Sequence, residues 1–302
     1  MSVIKSDTDR GFRMSELYSY MGSSRQGHAQ MVRRNKARME RNELVLSEAR
    51  KVRMKYIWLG SRRLYYTAGI TAVGITQFEQ IMSSSGLTVQ RLRRRIITTD
   101  SSGKKHLYPN LLLSGYTITD INEVVVCDLT YYRVSEVYYY ILLMTDVYSQ
   151  RLVGAVAAED KRSVHALEAL KQLVDLRGAE SLECTIHHSD RGSEYRSDSY
   201  IGALNRLKMQ ISMAGNCIEN GYAERRNGTI KNEFLLYTEM SINNICQLRK
   251  ALKMAVHRYN YEIVQAKLRY QTPVMYEAWI ASLAPDKRPR KPLYDFTQKK
   301  QK

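Results

Sequence analysis

Between Glu123 and Ala158 three runs rich in Val, Ile, Leu and Tyr follow one another, residues 123–132, 136–147 and 150–158, with only a few residues between them. Connections that short join antiparallel neighbours, so the three are predicted strands of a meander. Ser163 then opens a segment in which Val164, Leu167, Leu170 and Val174 recur at helical spacing as far as Gly178, one apolar stripe of a helix. A fourth strand is expected over 183–188, a helix over 198–207, a brief apolar run over 209–213 and a long helix over 218–236.

Three strands, a helix, a strand and further helices is the element order of a ribonuclease-H-like α/β fold. The organisation expected around it is a helical region at 1–92, a basic linker at 93–115, the core at 116–240, a helical extension at 241–284 and a basic, disordered tail at 285–302. The first region is broken by Gly22, Gly60, Gly69, Gly74 and Gly86 into short pieces. Short arginine-rich helices separated by glycine turns suit helix-turn-helix modules. The segment 61–86 is one candidate, with a second helix capped by Thr76, and 14–34 is another; the alternative is a solvated helical bundle. Thr272-Pro273 predicts the start of a last helix.

Charge is uneven along the chain. Residues 1–110 carry 21 Lys and Arg against 8 Asp and Glu, residues 111–284 carry 19 against 20, and residues 285–302 carry 7 against 2. Basic ends around a neutral centre point to a polyanion, nucleic acid first. A membrane surface is disfavoured, because no lipidation motif or amphipathic basic helix accompanies the ends and the longest apolar run, 137–144, cannot span a bilayer. Asp7, Asp9 and Arg10 stand where a secretory signal needs an apolar core, so a cytoplasmic, nucleoid-associated protein is expected. Cys127, Cys184, Cys217 and Cys246 include no C-x-x-C pair, and reduced thiols rather than a zinc site follow.

Three motifs hold the carboxylates of interest: Val-Val-Val-Cys-Asp128-Leu-Thr, His-His-Ser-Asp190-Arg-Gly-Ser and Ala-Glu224-Arg-Arg-Asn-Gly-Thr. Asp128 sits in a strand among apolar residues, where an unpaired charge is costly; metal ligation or a hydrogen-bonded core role would each account for it. Asp190 follows a strand, at the end where α/β sheets place ligands, though Asp-Arg-Gly alone also reads as a turn. Glu224 shares a helix face with Asn220, Gly221, Asn227, Gly228 and Lys231. The two glycines weaken that helix but admit a phosphate backbone, which Lys231 would hold. Two or three hard oxygen ligands with open positions suit magnesium and in-line attack on a phosphodiester. Asp146, Glu194, Asp198, Glu219 and Glu233 compete, with turn duty expected for Asp146 and helix capping for Asp198; His187 and His188 are expected to be structural.

Taken in order, Pro109-Asn110-Leu111-Leu112, Cys127-Asp128-Leu129-Thr130-Tyr131, His188-Ser189-Asp190-Arg191-Gly192-Ser193-Glu194-Tyr195, Gly215-Asn216-Cys217, Ala223-Glu224, Gly228-Thr229-Ile230-Lys231, Tyr259-Asn260 and Tyr270-Gln271-Thr272-Pro273 resemble the insertion sequence three family of transposases, catalytic subunits with a retroviral-integrase-like core. The resemblance covers nearly the whole chain. It implies a metal-binding Asp-Asp-Glu triad of Asp128, Asp190 and Glu224, a DNA-contacting Lys231, and two Mg2+ ions, with Mn2+ as a substitute. It also implies cleavage at transposon ends by water and attack of the freed 3′-hydroxyl on target DNA.

Further DNA contacts are expected from Arg91, Arg93, Arg94, Arg95, Lys104 and Lys105. Double-stranded DNA is the expected partner, together with a homo-oligomer on that DNA and an upstream-frame DNA-binding partner or fusion. Three departures stand out. Val125 replaces a tryptophan usual before the first aspartate; the 33 residues between Asp190 and Glu224 are fewer than usual, the shortening falling between Met213 and Gly215; and the zinc-binding module of retroviral integrases is absent. The rival readings are an inactive transposase-like repressor that only binds DNA, and a junction nuclease on the same core.

Overall fold

The computed structural model describes residues 14–89, 108–215 and 217–294. Its contacts divide the chain into two compact units, Met1–Lys55 with Gly60–Val89, and Tyr56–Leu59 with Gln90–Lys302.

The first unit is helical: α1 (Met14–Tyr20), α2 (Arg25–Lys55), α3 (Ser61–Thr67) and α4 (Ile75–Ser84). The breaks expected at Gly22 and Gly60 bound α2, but the piece between them is one helix of 31 residues rather than a short one. Gly27 lies inside it, since a single glycine costs only about 1 kcal/mol against alanine. Val45, Leu46 and Ala49 in its second half are buried, as are Leu64 of α3 and Phe78, Ile81 and Met82 of α4. Gly69 closes α3 with φ of 64°, a left-handed turn that glycine adopts without strain. The α3–α4 pair spans the segment expected to be helix-turn-helix, but Gly74, not Thr76, is the N-cap of α4. Arg62 and Glu79 join the two helices through paired bonds of 3.0 Å.

In the second unit the strands are β1 (Thr117–Ile118), β2 (Val124–Val134), β3 (Val137–Asp146), β4 (Leu152–Ala158), β5 (Ile186–Ser189), β6 (Gln210–Met213) and β7 (Lys291–Pro292). Five form one sheet in the order β4-β3-β2-β5-β6. The meander β2-β3-β4 is antiparallel and β5 and β6 add in parallel, the mixed sheet of a ribonuclease-H-like fold. Asp146 ends β3 and accepts bonds from Ser149 N (2.7 Å), Ser149 Oγ (2.9 Å) and Asn122 N (2.7 Å), which is the expected turn duty.

Strand periodicity sorts β2 between two cores. Val125 and Cys127 face a cluster with Ala166, Ala169, Leu170 and Leu173 of α5 (Ser163–Arg177) and with Tyr200, Ala203 and Leu204 of α6 (Asp198–Arg206). Val124 and Val126 face the other, with Ala223 of α7 (Gly221–Thr229), and Tyr276 and Ile280 of α9 (Pro273–Ala281). The stripe expected on α5 is offset, because Val164 is exposed and the small Ala166 and Ala169 take the contact. Gly154 of β4 explains why: a Cβ there would sit 2.6 Å from Ala169 O, so this helix lies directly on the strand. The side chain of Ser197, not Asp198, caps α6 by accepting from Tyr200 N.

Beyond α7 the helix widens into a π turn, Ile230–Leu235, and α8 (Ile245–His257) continues into a second, Arg258–Glu262. Asn260 in that turn clamps the edge strand β4: its Oδ1 accepts from Leu152 N (3.0 Å) and its Nδ2 donates to Leu152 O (2.9 Å). Glu277 of α9 pairs with Arg151 and Arg177, and all three side chains are largely buried. The basic end expected to be disordered from Pro285 is ordered through residue 294, where β7 pairs antiparallel with β1 and Lys291 Nζ donates to Tyr148 O (2.7 Å). Lys291 also lies 4.1 Å from the centroid of Tyr276, a cation–π contact that anchors the strap.

Candidate active site

Because β2 alternates, Asp128 points to the face of Val124 and Val126, where α7 lies. Three side chains fasten that helix along the strand. Asn220 Nδ2 donates to Cys127 O (3.2 Å), Asn227 Nδ2 to Asp128 Oδ2 (2.8 Å), and Lys231 Nζ to Thr130 Oγ1 (3.0 Å) and Tyr131 O (2.8 Å). Glu224 sits between the two asparagines on the same helix face, exposed while its flanks are anchored. The face that spacing predicted is thus the one laid on β2.

Asp190 follows β5, which pairs with β2 in parallel so that Cys127 is opposite Ser189. One of its oxygens accepts from Gly192 N (2.9 Å), an Asx turn. Gly192 has a physical reason, since a Cβ there would meet the Glu194 carboxylate at 2.6 Å. Arg191 folds back under the site and donates from Nε to Ala214 O (3.1 Å), tying the loop of Asp190 to the end of β6.

Electrostatics brings the three acids into one field. Burial, with the Asp190 charge next and Glu224 adding to it, pushes the Asp128 carboxyl up to about 8, against the pull of its Asn227 bond. Burial and the Asp190 charge also raise Glu224, and the same two causes raise Glu194. Among the described residues, however, no three His, Cys, Asp or Glu side chains are gathered closely enough to form a ready metal-holding group. Lys231 is held toward β2, where burial lowers its pKa against the opposing pull of the Asp128 charge.

His187 and His188 serve the structure. His187 Nε2 bonds Tyr200 OH (2.8 Å) and His188 Nδ1 bonds Ser212 Oγ (2.8 Å). Burial lowers them to about 3 and about 4, so both are neutral at physiological pH. Val125 is fully buried in the α5–α6 core, on the strand face away from Asp128, so the residue standing for tryptophan affects packing there. Arg91, Arg93, Arg94, Arg95, Lys104 and Lys105 lie outside the described residues.

Two contributors escaped the sequence reading. Asn227 was legible only as a neighbour on the face of Glu224; its bond to Asp128 needs the register of α7 on β2. Glu219 was legible only as a competing acid. It accepts from Gly215 N (2.6 Å) and from Asn110 Nδ2 (2.7 Å), which ties the chain after β6 to the chain entering the core. At Gly215 a Cβ would meet Arg191 at 3.0 Å and Glu219 at 3.1 Å.

Two integrase core domain families match the chain, over residues 119–216 and 205–273. The insertion element IS600 uncharacterized 31 kDa protein of Shigella sonnei is 30% identical over 224 residues, covering 71% of this chain and 80% of that protein. An uncharacterized transposase-like protein of Haemophilus influenzae is 30% identical over 174 residues, or 57% of this chain and 78% of its own length. Among solved structures, the magnesium-bound catalytic core domain of HTLV-2 integrase matches 57% of this chain and 99% of its own at 18% identity, with a TM-score of 0.43. The chain therefore belongs to the insertion-element transposases with an integrase core domain, polynucleotidyl transferases of DNA transposition.

Proposed function

We propose that Asp128, Asp190 and Glu224 hold two magnesium ions, or manganese in their place, and that the chain uses them to hydrolyse the phosphodiester at transposon ends and to join the 3′-hydroxyl to target DNA. What supports the reading is that burial, the Asp190 charge and the Glu224 charge together force Asp128, on β2 against α7, toward its neutral form. Three acids that repel one another at a partly buried site are poorly arranged for a structural role, and oxygen-only donors with open positions fit a hard divalent cation. Asn227 Oδ1, buried without a donor among the described residues, adds an acceptor beside Asp128. When bound, the paired ions would supply charge stabilisation at the entering and leaving oxygens of an in-line displacement.

The protein's own residues set up that chemistry. Asn227 orients Asp128, the Asx turn at Gly192 orients Asp190, and the asparagines flanking Glu224 fix its helix on β2. Exposed Glu224 has room to adjust as substrate enters. Lys231, in the π turn that continues α7, is assigned to a phosphate, and Gly221 has nothing within 4 Å of where a Cβ would be, so a DNA backbone can approach there. The helical region 1–92 is assigned to holding the terminal repeats in helix-turn-helix fashion, and Arg91, Arg93, Arg94, Arg95, Lys104 and Lys105 to phosphates beyond it. Joining two DNA ends calls for a homo-oligomer on DNA.

The test is a strand-transfer assay with a pre-cut transposon end and supercoiled target. The reading expects Mg2+-dependent joining by the parent chain. Asp128→Asn, Asp190→Asn and Glu224→Gln should each abolish joining while binding the same DNA. Binding without metal-dependent nicking in the parent would favour the repressor reading, and nicking without joining the nuclease reading.

A further inference from the structure

The Tyr270-Gln271-Thr272-Pro273 motif has no part in the carboxylate site, yet it closes an unusual loop beside α7. Residues 265–271 are pinched by a bridge between Gln265 and Gln271, with Gln265 N donating to Gln271 O (2.9 Å) and Tyr270 N to Gln265 O (3.1 Å). Arg269 and Tyr270 are consecutive non-glycine residues with φ of 55° and 56°. Side chains rarely adopt that region, and such conformations concentrate at functional sites.

The loop displays cations. Leu268 is fully buried in the same core cluster as Ala223 of α7, so Lys267 and Arg269, both exposed, flank an anchor in the core that the residue preceding Glu224 also enters. Arg225 follows Glu224 and is exposed as well. The Arg269 guanidinium lies 4.5 Å from the Trp279 ring centroid, which holds it extended over α9. Among the described residues neither Arg225, Lys267 nor Arg269 has a carboxylate partner, although ion pairs occupy many other basic residues of this chain. Burial and then the charges of Arg225 and Arg226 depress Lys267, so positive charge is crowded on this side of α7. Arg226 adds to this charge from below, being buried beneath Tyr259, 4.5 Å from that ring's centroid. A polyanion would relieve it.

We propose that Arg225, Lys267 and Arg269 form a phosphate-binding site that grips the backbone of double-stranded DNA on the α7–α9 side of Glu224, apart from the Lys231 side. The site rests on the transposase reading for its ligand and adds a second hold on DNA flanking the reaction centre. It gives the pinched loop a purpose: a rigid, strained turn keeps two cations at fixed separation from the catalytic helix, so that bound DNA is registered against Glu224.

The experiment measures binding of the full chain to a fluorescein-labelled duplex of arbitrary sequence, about 40 base pairs long, across a salt series. The triple variant Arg225→Gln, Lys267→Gln, Arg269→Gln should bind at least tenfold more weakly near 0.1 M salt, with a log K against log salt slope shallower by about 2 to 3. Because Arg269 also packs on Trp279, Lys267→Glu is measured separately; its exposed side chain holds no part of the fold, and a slope shallower by about 1 is expected. Slopes equal to the parent's in Lys267→Glu, or in a folded triple variant, overturn the site. Cutting of transposon-end DNA by the parent and by Asp128→Asn is read in parallel. Shallower slopes in a chain that does not cut would remove the catalytic reading and leave this site standing; unchanged slopes beside Asp128-dependent cutting would remove this site alone.

Discussion

Replacing Asp128 with asparagine should stabilise the metal-free protein at neutral and alkaline pH while destroying catalysis. The carboxyl is pushed up to about 8 in the folded chain from an ordinary 3.8, with burial as the main cause and the Asp190 charge second. Between those values the folded state holds a proton that the unfolded state has released. Linkage then makes the stability contributed by this group fully present below pH 4 and lost as pH rises toward 8, at about 1.4 kcal/mol per pH unit. The full window would amount to roughly 6 kcal/mol, and since Asp128 keeps partial contact with solvent, about 3 kcal/mol is the working figure. Asparagine accepts the same bond from Asn227 without ionising, so its contribution is flat. Urea unfolding in chelator at pH 5.5 and 8.0 reads about half of that window: the parent should lose about 1.5 kcal/mol more than Asp128→Asn between the two. Titrating groups not coupled to Asp128 cancel in the comparison. Magnesium at pH 8.0 should then restabilise the parent and not the variant. Parallel losses in the two proteins would refute the reasoning.

Three further outcomes are expected. Asn227→Ala removes the bond to Asp128, so strand transfer should fall about 10- to 100-fold with DNA affinity unchanged, and the rate optimum should move to higher pH; an unchanged rate would show that Asn227 does not orient the carboxylate. Glu277→Ala leaves Arg151 and Arg177 buried without their partner and should cost about 3 to 5 kcal/mol in chemical denaturation, against which a loss under about 1 kcal/mol would count. Deleting residues 1–89 should weaken binding to transposon ends and flatten its salt dependence, measured by fluorescence anisotropy; equal slopes for the two chains would deny that region its DNA role.

The meander was legible because the Val, Ile, Leu and Tyr content of each run and the short connections between them are local, and Asp128 stood out as a charge within it. Side-chain alternation along β2 then assigns Val125 and Cys127 to one core and Val124, Val126 and Asp128 to the other. What eluded the sequence depends on partners far along the chain. The contact stripe of α5 was misjudged by residue size, because Gly154 lets Ala166 and Ala169 sit closer than Val164 could. Thr76 and Asp198 are good capping residues that lost to Gly74 and Ser197 one or two places earlier. The strap at Lys291 was hidden by its charge: lysines and arginines read as solvated, whereas here Tyr148 and Tyr276 take up the ammonium. Likewise the roles of Asn227, Glu219 and Asn260 are hydrogen bonds to residues roughly a hundred positions away, which no local pattern encodes.

The central claim is that Asp128, Asp190 and Glu224 share divalent ions. Anomalous diffraction from crystals of the full chain soaked in manganese tests it most directly. The account predicts two peaks about 4 Å apart lying among those three carboxylates, lost in Asp128→Asn. Manganese bound elsewhere, or no peak among the three at saturating metal, would contradict it.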